Sequence, residues 1–173
     1  FRYVFASEEY NEYVCSEFND AFAFFITGPG IMGAENLAVV PSTTLPVTIN
    51  TINNGLVGAL GSASNSPCEL GNSAYFVGNT LQTVQYDGFT TVLTAQRAVI
   101  PCQTYHIRLM IADGADDIFD SAVFLEENSF NSATYTISVS TPSNDSTIFE
   151  GCTSATLTFS RPNADPTPMT INY

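Results

Sequence analysis

The chain has 173 residues, 45% of them apolar and 12% charged, with a formal net charge of −13. That length suits one domain, or one domain with part of a second. Seventeen acids against four arginines and no lysine exclude nucleic acid and anionic lipid as partners, because both need cationic side chains to neutralise phosphate. No run approaches the ~20 apolar residues of a membrane-spanning helix, so membrane insertion is not expected.

Alternation of apolar and polar residues runs through most of the chain and predicts strands rather than helices. The first covers residues 1–6 and reads as the middle of a strand, so the chain is expected to be a piece of something larger. The acidic stretch Glu8-Glu9-Tyr10-Asn11-Glu12 follows. Residues 21–27 form a short, nearly continuous apolar run ending at Gly28-Pro29-Gly30, which predicts a buried strand. Further strands are expected over 36–40 and 47–52. Residues 53–72 are rich in Gly, Ser and Asn and contain Cys68; a loop this long in a compact domain is functional or tied down covalently.

Asp87-Gly88 between residues 83–86 and 89–93 reads as a tight hairpin. Residues 104–111 alternate, with Tyr105, Ile107, Leu109 and Ile111 on one face and His106, Arg108 and Met110 on the other. Residues 121–125 form another short strand. The character changes near Phe130, and residues 134–140 and 155–161 predict strands of a second unit. These patterns predict an all-β protein: a β-sandwich of jelly-roll type over residues 1–132, then the beginning of a second β-sandwich over 133–173.

Four cysteines, Cys15, Cys68, Cys102 and Cys152, with no C-x-x-C pair and His106 as the one histidine, argue against zinc and for disulfides in an oxidising compartment. Cys102 is expected to be bonded, as is at least one of Cys15 and Cys68, with one of the three open to pairing with a portion that precedes Phe1. Cys152 is expected to pair beyond this chain or stay free.

The densest acidic cluster is Asp113, Asp116, Asp117 and Asp120. Carboxylates this close repel one another unless a cation or solvent intervenes. Calcium, which takes six to eight oxygens at about 2.3–2.6 Å, is the expected cofactor, with Asp117 and Asp120 its best ligands. Glu8, Glu9, Asn19 and Asp20 form a second candidate ligand group; Asn19 and Asp20, just before a buried strand, are ligands or caps for loop amides. A carboxylate pair for glycoside hydrolysis and a triad using His106 are weaker readings. Tyr10, Tyr13 and Phe119, in polar loops, could stack on a sugar. Asn144 and Ser146 in Asn144-Asp145-Ser146-Thr147, and Ser121 in Asp120-Ser121-Ala122, are candidate glycosylation sites.

Several phrases resemble a bacterial extracellular family, the choice-of-anchor L domain. They are Phe5-Ala6-Ser7-Glu8-Glu9-Tyr10, Phe18-Asn19-Asp20-Ala21-Phe22-Ala23-Phe24-Phe25, Tyr86-Asp87-Gly88-Phe89-Thr90, Pro101-Cys102-Gln103-Thr104-Tyr105-His106 and Asp120-Ser121-Ala122-Val123-Phe124-Leu125-Glu126. The resemblance spans residues 1 to about 130. It implies a secreted, surface-anchored module of a large protein from Bacteroidota or other bacteria, in many cases exported by the type IX system and associated with adhesion or gliding. It also implies that an N-terminal portion precedes Phe1. Residues 134–173, through Glu150-Gly151 and Ala155-Thr156-Leu157-Thr158-Phe159-Ser160-Arg161, resemble the opening of a Calx-beta-like module.

Together these readings predict a non-catalytic extracellular structural or adhesive module, stabilised by calcium and disulfides. The alternatives are a calcium-dependent carbohydrate-binding module and a fibre subunit assembled by strand exchange. Expected partners are neighbouring modules of the same long polypeptide or neighbouring fibre subunits, and surface glycans. Strand-like sequence at both ends of the chain leads to the expectation that partner strands come from outside it.

Overall fold

Tyr3 and Phe5 in the first apolar stretch, and Phe22, Phe24 and Ile26 in the second, alternate with residues that turn the other way. Each set becomes one face of a strand, β1 (Arg2–Ser7) and β2 (Ala21–Thr27). These are the central strands of two antiparallel sheets packed face to face. The Tyr3 and Phe22 rings lie 5.1 Å apart and the Phe1 and Phe24 rings 4.3 Å apart, edge to face. Full burial of each such side chain contributes about 2 kcal/mol. The computed structural model describes residues 1–100, 102–116, 118–130, 136–141 and 156–160, and the chain divides into two compact units, Phe1–Phe130 and Asn131–Tyr173.

In the first sheet of the first unit, β1 pairs along one edge with two short strands, β6 (Gly88–Thr90) and β7 (Leu93–Thr94). Thr90 Oγ1 accepts the Phe5 N–H at 3.1 Å and carries the ladder across the break between them. On its other edge β1 pairs with β9 (Ser121–Leu125), and β5 (Phe76–Gly78) extends the sheet beyond β6. In the second sheet, β2 is flanked on one edge by β3 (Glu35–Asn36) and β4 (Val47–Thr48) and on the other by β8 (His106–Ala112). One 3₁₀ turn, Ser73–Tyr75, is the only helical element among the described residues, and no helix there is long and apolar enough to cross a membrane. The protein is an all-β sandwich, as its alternation predicts. In the second unit, β10 (Thr136–Ser140) and β11 (Thr156–Ser160) form an antiparallel pair.

Four expectations need correction. The strand read over 36–40 stops at Asn36, whose side-chain Oδ1 takes the place of a backbone carbonyl by accepting the N–H groups of Phe24 and Ala38 at 2.9 and 3.0 Å. The strand read over 47–52 stops at Thr48, because the N–H groups of Thr51 and Ile52 turn back to the Thr48 carbonyl at 3.2 and 3.0 Å. Asp87-Gly88 is not a tight hairpin. Gly88 pairs with Gly78, and the loop between β5 and β6 is shaped by Asn79, whose Nδ2 donates to the carbonyls of Val84 and Tyr86, each at 2.7 Å. Residues 1–6 are not an exposed edge either, since β1 is paired along both sides.

The long loop over residues 53–72 is tied down by the Cys15–Cys68 disulfide. It also runs beside the segment after β1: Gly58 N donates to Val14 O, Leu60 N to Glu12 O and Ser62 N to Cys15 O, all at 2.8–3.0 Å. Gly58 and Gly61 are needed here, because a Cβ at either would collide with the carbonyls of Asn11 and Val14 respectively. Asparagines do the rest. Asn50 accepts the Cys15 N–H at 2.6 Å and donates to Ser16 O, while Asn53 donates to the carbonyls of Ile49 and Glu69. Cys102, expected to be bonded, is instead an exposed free thiol. Cys152 lies outside the described residues.

Candidate functional site

The acidic segment after β1, the turn before β2 and the loop from β8 to β9 meet at one end of the first unit. Glu8 and Asp120 exchange two hydrogen bonds: Glu8 N donates to Asp120 O, and Asp120 N to Glu8 Oε2, both at 3.1 Å. The other Glu8 oxygen accepts Gln85 Nε2 at 2.7 Å. Gly114 lies so close to Asn19 that a Cβ would stand 2.7 Å from the Asn19 nitrogen.

Asp20 is the centre of this arrangement. It is fully buried. Its Oδ2 accepts the hydroxyls of Ser7 at 3.1 Å and of Ser121, and its Oδ1 accepts the Gly114 N–H at 3.2 Å. Ser7 ends β1, Ser121 opens β9 and Asp20 immediately precedes β2. One carboxylate therefore joins the two sheets. Ser121, a glycosylation candidate from its sequence, turns its hydroxyl to this buried acid.

The remaining candidate ligands divide. Asn19 Oδ1 caps the loop by accepting the Asn50 N–H at 2.9 Å, and Asp116 Oδ1 accepts the Ile118 N–H at 3.3 Å. Glu9 differs. It is 1% exposed and its Oε2 has no hydrogen-bond partner. Burial, reinforced by the charges of Asp20, Asp116 and Asp113, raises its pKa from an ordinary 4.5 to about 8. Asp113 adds to that field, while Asp117, Asn144 and Ser146 lie outside the described residues. Among the described residues, no three His, Cys, Asp or Glu side chains are grouped so as to hold a metal ion.

The sign of the Glu9 shift gives a prediction. A carboxyl whose folded pKa lies above its unfolded value contributes most stability below about 4.5, and that contribution is lost as pH rises toward about 8. In chelator, the wild-type melting temperature should therefore fall across this window. Glu9→Gln, which keeps the shape without the charge, should flatten the decline. Parallel pH curves for the two proteins would refute this.

Of the loop aromatics, Tyr10 is no sugar platform: it is fully buried, and its hydroxyl donates to Ile52 O at 2.7 Å. Tyr13 packs between Phe18 and the partly exposed Phe119, with ring separations of 5.2 and 5.7 Å. His106 lies elsewhere, in a shallow depression lined by Phe25, Thr27, Ala34, His106, Ile107 and Arg108. None of these six is a carboxylate that could orient the imidazole of a triad. The roles of Ser7, Ser121 and Asn50 went unread in the sequence. The available signal was Asp20 itself, an acid abutting a buried strand, which needs donors from its neighbours.

The description of the choice-of-anchor L domain matches residues 1–131. The chain belongs to the choice-of-anchor L domain family. Comparison with curated proteins and with solved structures gives no match. Choice-of-anchor L domains are non-catalytic modules found in cell-surface proteins, and the match takes in all three segments that build the acidic end. The second unit, which opens at Asn131, falls outside the match except for that residue.

Proposed function

We propose that this choice-of-anchor L module is a structural and adhesive element of a large extracellular protein, with calcium rigidifying its acidic end. The observation that carries the structural part is Asp20, which leads into β2 of the second sheet while its carboxylate accepts from β1 and β9 of the first sheet and from the β8–β9 loop. Ser7, Glu9 and Asp20 are the buried polar groups of this end, and Asp20 holds strands and loop together. The support for calcium is Glu9. Its buried, partnerless oxygen faces the repulsion of three other carboxylates, which a hard divalent cation would relieve. Backbone carbonyls of the β8–β9 loop would have to complete the coordination.

Thermal unfolding with calcium or with chelator tests this reading. Calcium at a hundred times its dissociation constant should stabilise the unit by about 2.7 kcal/mol, a rise in melting temperature on the order of 10 °C. Superimposable curves would remove calcium. Activity on a glycoside that disappears when one acidic-end carboxylate is changed would overturn the non-catalytic reading.

A second reading, calcium-dependent carbohydrate binding, is favoured by one observation: the Phe18–Tyr13–Phe119 ring cluster beside the acidic loop. It requires a glycan whose binding is lost both in chelator and in Phe119→Ala.

A further inference from the structure

Antiparallel partners directly opposite one another point their side chains to the same face of a sheet. On β2 the inward residues are Phe22, Phe24 and Ile26, exposed by 2, 3 and 5%. Their partners on β8 are Ile111, Leu109 and Ile107, which face the same interior yet are 47, 44 and 41% exposed. The first sheet shows this at one position, since Val123 opposite Phe5 packs against the core. Leu125 on β9 lies opposite the buried Tyr3 and is 52% exposed. β8 and β9 approach each other, and among the described residues each pairs along one edge only. The sandwich is therefore open on this side, with core-facing aliphatic side chains and two free strand edges in one place.

This combination defines what fits. Free backbone donors and acceptors beside a row of alternate apolar side chains call for an extended strand that continues a sheet and lowers its own alternate apolar residues onto the open core. A helix would leave the edges unpaired. A second copy of this face is disfavoured by charge. Each chain carries −13, with Glu126 and Glu127 following β9 and Asp113 and Asp116 following β8, so two such edges repel.

We propose that the β8–β9 side is a docking site for an extended strand from polypeptide outside this chain, apolar at alternate positions and flanked by lysine or arginine. This deepens the structural reading and rests on it only in treating the module as part of a larger assembly. It does not depend on calcium.

The test uses the full chain in chelator and short fluorescent synthetic peptides of alternating valine and threonine flanked by lysines, beside permuted peptides of the same composition. The alternating peptide should bind saturably and about tenfold more tightly than the permuted ones. Residues 106–112 should gain protection from amide hydrogen exchange on binding. Leu109→Lys, which places a charge on the open core-facing row, should abolish binding, and Leu109→Ala should weaken it about tenfold, each measured on protein whose cooperative melting shows that it is folded. Absence of saturable binding, equal binding of permuted peptides, or full binding by Leu109→Lys overturns the proposal. So does sedimentation of the free chain as a dimer that Leu109→Lys dissociates, which would make a second copy the occupant. A failed calcium response with intact peptide binding would count against the ion alone.

Discussion

Replacing Cys15 and Cys68 together with alanine should lower the stability of the first unit by about 4 kcal/mol, the loop-closure contribution for a cross-link of this span. The two residues are 53 positions apart in sequence, with Cα atoms 4.9 Å apart. The disulfide shuts a loop that contains all of β2, β3 and β4 and fastens the long Asn-rich segment to the turn after β1. Cys15 also holds that segment through its backbone: its N–H goes to Asn50, and its carbonyl accepts from Ser62 and Asn65. The measurement is urea unfolding of wild type, oxidised and reduced, beside the double variant. Reduced wild type should match the double variant, and Cys102→Ser should unfold like wild type, because its thiol is exposed and unpaired. A change under about 1 kcal/mol on losing the bond would show that the segment is held by its hydrogen bonds alone.

Asp20→Ala should be nearly as damaging, at about 3–5 kcal/mol, in the range for breaking a buried charged network. Removing the carboxylate leaves the Ser7 and Ser121 hydroxyls and the Gly114 N–H without their acceptor. The two sheets lose their link at this end, and the β8–β9 loop loses its anchor. Asp20→Asn should cost less, because an amide oxygen can still accept one donor and serine hydroxyls can rotate to accept from its NH₂. Urea unfolding measures the size of the effect, and hydrogen exchange over residues 113–116 reports its location. Equal stability of wild type and Asp20→Ala would mean that the bonds at this end are dispensable.

The sequence made the fold class plain because residues 104–111 alternate and residues 21–27 form a short apolar run closed by Gly28-Pro29-Gly30, and both are local signals. Strand ends were misread wherever a side chain takes over from the backbone. Asn36, Thr51 and Asn79 each replace a ladder or turn hydrogen bond, and nothing in their immediate sequence distinguishes them from ordinary loop residues. The acidic end was legible as two separate clusters, and the structure brings them together. What stayed hidden was the use of the charge. Asp20 has hydroxyl partners at Ser7 and Ser121, far apart in sequence and opposite each other in the ladder, and only the fold reveals which serines those are. Cys102 has no partner among the described residues, and cysteine count carries no information about proximity. Residues 104–111 were read correctly as two-faced, but exposure of the inward face depends on what lies beside β8, which no local pattern records.

The position of β1 has a consequence for how the chain reaches this state. β1 is the central strand of its sheet, yet its partners begin at Gly88 and extend to Leu125. Until those later residues are available, β1 has unsatisfied backbone on both sides and no sheet to join. Contacts this far apart in sequence make folding slow, because long loops must close before they are rewarded. In a chain that emerges N-terminus first, β1 therefore waits for β9 before its sheet can form.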